Sequence, residues 1–74
     1  MKDLKIRYNR AKNIIVEREY ETIMDFLDEI EAYEDKARIL NCTNVGATFF
    51  ENPANYKYFD TVGELYNHCK MIIQ

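Results

Sequence analysis

The chain has 74 residues, 47% of them hydrophobic and 14% aromatic, with a net charge of −3. That describes one small domain, apolar enough to build a core and too short to divide, and it excludes a disordered or low-complexity chain. No apolar run approaches the roughly 20 residues of a membrane span, and the N-terminus lacks the apolar stretch of a signal peptide. With no export signal, the two cysteines point to a reducing cytoplasm.

Leu4, Ile6 and Tyr8 alternate with Lys5 and Arg7, the two-residue period of a half-buried strand. The polar run Asn9 to Asn13 reads as a turn, and alternation resumes from Ile14-Ile15-Val16 through Glu17 to Tyr20. An antiparallel hairpin over residues 3–8 and 14–19 is expected. Thr22 with Asp25 then marks a helix start, the Thr accepting a backbone N–H and the acid suiting the positive end of the dipole. That helix is expected over 22–35, with Ile23, Phe26, Leu27, Ile30 and Tyr33 within an arc of about 120° facing the core.

Residues 36–42 admit two readings. They could extend the helix, since Glu34 and Arg38 would pair at i,i+4, or form a strand, which is preferred because a continued helix points Ile39 away from the stripe. Thr43 to Gly46 reads as a turn, Ala47 to Glu51 as a strand, Asn52-Pro53-Ala54-Asn55 as a turn with Pro53 pre-set for its second position, and Tyr56 to Phe59 as a return strand. A second helix is expected from Val62 to about Ile73, started by a capping box of Thr61 and Glu64.

The segment Tyr20–Leu27 returns 39 positions later as Phe59–Tyr66 with the same pattern of aromatic, acid, Thr and apolar residues. The stripe of the second helix, Val62, Leu65, Tyr66, Cys69 and Ile72, repeats the first at the same offset. The chain thus reads as two related ββα units. The expected fold is α+β, an antiparallel sheet of four to five strands with two helices on one face, in the order β-β-α-β-β-(β)-α. A longer first helix with fewer strands is the alternative.

Catalysis is poorly provided for. His68 is the only histidine, and its neighbour Cys69 points about 100° away on a helix, so the two form no dyad. Carboxylates on a convex exposed helix face lack the enclosure that sets an acid and a base apart. Cys42, Cys69 and His68 lack zinc-ligand spacing, and two glycines are too few for a phosphate loop. No cofactor and no metal are expected.

The charge pattern is the clue to partners. Residues 1–16 carry five basic side chains and one acidic, residues 17–35 carry nine acids and Arg18 alone, and residues 36–74 carry four basic and three acidic. Like charges at i,i+4 (Glu21/Asp25, Asp25/Glu29, Glu31/Asp35) and acids at the negative end of the dipole weaken a helix. Such a face suits a basic protein partner. Its carboxylates, one turn or roughly 5–6 Å apart, approach the charge spacing of a nucleic-acid strand.

The expected function is therefore a small non-catalytic interaction protein, with Glu21, Asp25, Asp28, Glu29 and Asp35 meeting a basic, nucleic-acid-binding protein surface. In size and charge the chain is similar to small acidic proteins of phages and mobile elements, some of which inhibit restriction or CRISPR nucleases; no motif carries that likeness. The alternative is nucleic-acid binding by Lys5, Arg7, Arg10 and Lys12, with Phe49, Phe50, Tyr56, Tyr58 and Phe59 as stacking platforms, which the acidic helix opposes. A homodimer pairing the basic hairpin with the acidic helix is a third arrangement, and Met71, opposite its helix's stripe, is a further contact candidate.

Overall fold

Alternation at the N-terminus builds two strands, β1 (Leu4–Ala11) and β2 (Ile14–Tyr20), paired antiparallel with Leu4 opposite Tyr20 and Tyr8 opposite Val16. The computed structural model describes residues 1–73. The hairpin is longer than the sequence reading. β1 continues through Asn9 and Arg10 by means of a register shift before Ala11, which leaves a tight turn at Lys12-Asn13, with Asn13 at φ 65°. Asn tolerates that conformation better than most residues.

Helix α1 (Ile23–Ala32) starts as expected. The Asp25 N–H donates to Thr22 Oγ1 at 3.1 Å and the Thr22 N–H donates to Asp25 Oδ2 at 3.3 Å, a reciprocal cap. Replacing Thr22 by Ala leaves the Asp25 N–H without its acceptor, with an expected loss of about 1 kcal/mol. It should appear as a lower urea midpoint at unchanged slope.

The reading of 22–35 as one helix and 36–42 as a strand is corrected. Tyr33 leaves the helix with ψ 134°, and a second short helix, α2, runs over Lys36–Leu40. α1 has no basic residue in its last turn, and Glu29, Glu31, Glu34 and Asp35 crowd the end where its dipole is negative, so extension is disfavoured. Asp35 instead caps the new helix, accepting the Arg38 N–H at 3.2 Å. The changed axis also settles Ile39, which is buried rather than turned to solvent.

Strand β3 (Thr43–Phe49) begins four residues earlier than expected, and Thr43 to Gly46 is strand rather than turn. Val45, Ala47 and Phe49 point inward, while Phe50 and Glu51, at φ 58° and 55°, make the turn. Gly46 is needed for space. A Cβ there would lie 2.0 Å from the Tyr56 hydroxyl, which crosses over it from the next strand. A short 3₁₀ turn (Pro53–Asn55) leads into β4 (Tyr56–Thr61), two residues longer than the expected return strand. Helix α3 (Val62–Ile72) follows. Its cap differs from a standard box: Thr61 Oγ1 accepts the Glu64 N–H, but Glu64 Oε2 accepts from Asp60, one residue further back. Glu has one methylene more than Asp25 and reaches past the cap residue.

The four strands are ordered β2-β1-β3-β4, all antiparallel. A shift of 39 residues carries β1 onto β3, β2 onto β4 and α1 onto α3, and at the centre Arg7 lies opposite Gly46, themselves 39 apart. The two ββα units are thus arranged about a pseudo-two-fold axis. α2 is the connection between them and has no counterpart.

The inward residues of β1 and β3 and the stripes of both long helices form one core, with Phe26, Leu4, Leu65, Val45, Val62 and Cys69 fully enclosed. The fifth residue expected in each stripe is not enclosed: Tyr33 and Ile72 are 37% and 41% exposed, because each stands at the end of its helix. The other face of the sheet, with Lys5, Arg7, Glu17, Glu19, Tyr56 and Tyr58, carries no helix and is exposed.

Candidate functional site

α1 turns its apolar stripe inward and so sends its acids outward, but they meet different surroundings. Glu31 sits on the side facing α3, where the Tyr66 hydroxyl donates to Oε2 at 2.6 Å and the Lys36 ammonium pairs with the same oxygen. The Lys36 bond, then that from Tyr66, holds the Glu31 carboxyl below the usual carboxylate range. Lys36 and Lys70 lie 5.4 and 5.0 Å from the Tyr66 ring centre, a cation–π arrangement that completes the clasp. Glu31 therefore joins helices and is not part of an open face.

Glu29 emerges on the opposite flank, beside β2. The buried Tyr20 donates its hydroxyl to Glu29 Oε2 at 2.6 Å, and burial followed by this bond pushes the Tyr20 hydroxyl far up. Asp25 is fixed by the cap of α1 and Asp35 by the cap of α2. Glu21 is exposed, 3.7 Å from the Lys2 ammonium. Asp28 is exposed.

Asp25, Asp28 and Glu29 share the outward surface of α1, with Met24 half-exposed beside them. Glu21 flanks them before the helix, while Asp35 is carried away to the start of α2. Asp25, Asp28, Glu29, Glu34 and Asp35 have no cation within ion-pair distance among the described residues.

The four basic residues proposed for nucleic acid are not brought together. Lys5 and Arg7 lie on the open face of the sheet, opposite Glu19 and Glu17, with Arg7 Nε 3.9 Å from the Glu17 carboxylate. Arg10 lines a groove on the helix side, and Lys12 stands in the hairpin turn. The aromatics divide likewise. Phe49 is buried and Phe59 half-buried, both beside the His68 ring at 5.6 and 5.4 Å, whereas Phe50, Tyr56 and Tyr58 are exposed. Tyr56 and Tyr58 meet edge to face at 4.8 Å on the open sheet.

Neither cysteine is poised for chemistry. Cys69 is fully enclosed and desolvation pushes its thiol up to about 12; Cys42 is also raised by desolvation, opposed by Arg38 and Arg10. A reactive cysteine needs the reverse, a stabilised thiolate that solvent can reach. Met71 is 71% exposed on α3. Among the described residues, no helix is long and apolar enough to cross a membrane.

The groove beside the first hairpin was not foreseen. About 430 Å³ in volume, it is lined by Tyr8, Arg10, Val16, Arg18, Arg38 and Ile39 among others. Its cations come from three different elements, and only the alternation placing Arg18 on the face of Val16 and Tyr20 was visible beforehand. No protein-family model matches the chain, and comparison with curated proteins and with solved structures yields no match.

Proposed function

We propose that the protein is a non-catalytic interaction module that presents the outward face of α1 to a basic protein surface, in the manner of an inhibitor occupying a nucleic-acid-binding site. The observation that carries this reading is the set of three carboxylates on that face, Asp25, Asp28 and Glu29, continued by Glu34 and Asp35 past the end of the helix, all five with no cation within ion-pair distance among the described residues. Three of them are held in place by hydrogen bonds that leave their charge intact: Asp25 and Asp35 by helix caps, Glu29 by Tyr20. Fixed charge favours association, because less side-chain freedom is lost on binding. The half-exposed Met24 within the face adds a flexible apolar contact.

The basic hairpin is the weaker candidate, since Lys5 and Arg7 stand across from Glu19 and Glu17 and much of their charge is offset. Nucleic-acid affinity rests on uncompensated cations.

The test uses Asp28→Lys with Glu34→Lys, positions that hold no cap. The parent protein should retain basic nucleic-acid-binding proteins from cell extract at low salt and release them when salt or DNA is added. The double variant should retain at least tenfold less while melting within a few degrees of the parent. Equal retention would sink the proposal. Light scattering at low and high salt separates a foreign partner from self-association, since a salt-sensitive dimer would give this face to a second copy.

A further inference from the structure

Helix α1 covers the Tyr20 end of β2 but not its beginning, so the helix-side residues Val16 and Arg18 look into open space between the first hairpin and α2. Register places Val16 opposite Tyr8 and Arg18 opposite Ile6, on the same side of the sheet as the core. The space they bound, with Arg38 and Ile39 of α2 on the far side, is the groove of about 430 Å³, a volume within the range of small-molecule sites.

Its charge is the reverse of the molecule's. In a chain with 13 carboxylates and ten Lys and Arg side chains, three arginines, Arg10, Arg18 and Arg38, line this groove. None has a carboxylate within ion-pair distance among the described residues. Asp35 also borders the groove, but its Oδ1 is engaged by the Arg38 N–H, and the balance stays positive. Arg38 and Arg10 act on the Cys42 thiol and Arg18 on the Tyr8 hydroxyl, each lowering a group that desolvation raises, so their charge is felt from both ends.

Tyr8 supplies a second, independent observation. It is only 4% exposed, yet its hydroxyl makes no hydrogen bond among the described residues and borders the groove. A hydroxyl that opens on a groove without a protein partner is a donor available to a ligand, and this one is reachable, since no fully buried side-chain oxygen among the described residues lacks a partner. Val16 and Ile39 provide apolar wall between the guanidiniums.

We infer that the groove between the β1–β2 hairpin and α2 binds a small organic phosphate monoester, with Arg18 and Arg38 gripping the phosphate and the apolar wall receiving the organic body. Guanidinium forks match phosphate oxygens two at a time, and a doubly charged phosphate suits several unpaired arginines better than a single carboxylate does. Tyr8 donates to a phosphate oxygen, and Arg10 closes the hairpin side. A mononucleotide has the size and the two-part chemistry for this site. The site is separate from the outward face of α1 and does not depend on it.

The probes are adenosine monophosphate, adenosine and inorganic phosphate, titrated into the full chain in chloride buffer and followed by amide shifts. The monophosphate is expected to move the resonances of Tyr8, Val16, Arg18, Ile39 and Cys42, with adenosine and inorganic phosphate each binding at least tenfold more weakly. Arg18→Ala and Arg38→Ala, both at exposed positions, should each weaken binding at least tenfold while leaving the remaining spectrum unchanged. Tyr8→Phe should weaken it severalfold and keep the fold. No shift of these residues at millimolar monophosphate would overturn the inference, as would equal affinity for inorganic phosphate or affinity unaltered by either arginine substitution.

Discussion

Phe26→Ala is expected to leave the protein on the edge of unfolding at room temperature. The ring is fully enclosed and meets the Tyr20 ring edge to face at 5.3 Å, so truncation removes its transfer energy and leaves a cavity. Such changes cost about 3–5 kcal/mol, and a chain of this length holds about 4–11 kcal/mol in all. A thermal melt followed by circular dichroism should lose its sharp transition or shift it down by well over 10 °C. Phe26→Leu, which refills most of the space, should recover most of the difference. The pseudo-two-fold axis supplies an internal control: Leu65 occupies the place of Phe26 in the second unit and is equally enclosed. Leu65→Ala should therefore cost a similar amount. A Phe26→Ala protein melting within two or three degrees of the parent would show that the helix stripes do not hold the core together.

Stability should also collapse at alkaline pH, with Cys69 as a principal cause. Desolvation pushes its thiol from 9.0 up to about 12, and Tyr8, Tyr20 and Tyr66 are likewise raised above 10.0, by burial for the first two and by the Glu31 hydrogen bond for Tyr66. The unfolded chain gives up these protons at lower pH than the folded one. Above about pH 9 the unfolded state therefore binds fewer protons, and stability falls as pH rises. Three units at Cys69 alone correspond to ~4 kcal/mol between pH 9 and 12. Urea midpoints measured from pH 7 to 11 should be flat to about 8.5 and then decline. Cys69→Ala, although less stable at neutral pH, should show a shallower decline, and identical slopes for the two proteins would refute the assignment. Glu31 acts in the opposite sense: its carboxyl is held low, so its contribution is present above its usual value of 4.5 and fades as pH falls below it.

Much of the fold was legible because its signals are local. Thr22 with Asp25, Thr61 with Glu64, and the alternation from Leu4 to Tyr8 each declare themselves within a few residues. The errors occurred where a distant contact decides. Gly46 read as a turn residue, whereas its missing Cβ makes room for Tyr56, ten residues on and across a strand pair. Asp35 read as one more acid at the end of a helix, and it became a cap only because Tyr33 had already left the helical path. Glu31 reads only as one half of a like-charge pair with Asp35, since nothing near it in sequence announces Tyr66. The groove arginines come from β1, β2 and α2, and no spacing rule joins them.

The pairing of Arg7 with Gly46 also bears on how the chain finds its structure. Within each half the contacts are made between near neighbours, a hairpin followed by a helix, and such pieces form in microseconds. Neither half can enclose its stripe until β1 lies beside β3, and that meeting closes a loop of 39 residues. The entropy of that closure is lost before burial offsets it. The pairing of β1 with β3 is therefore the step expected to limit folding, and its loss the step expected to limit unfolding.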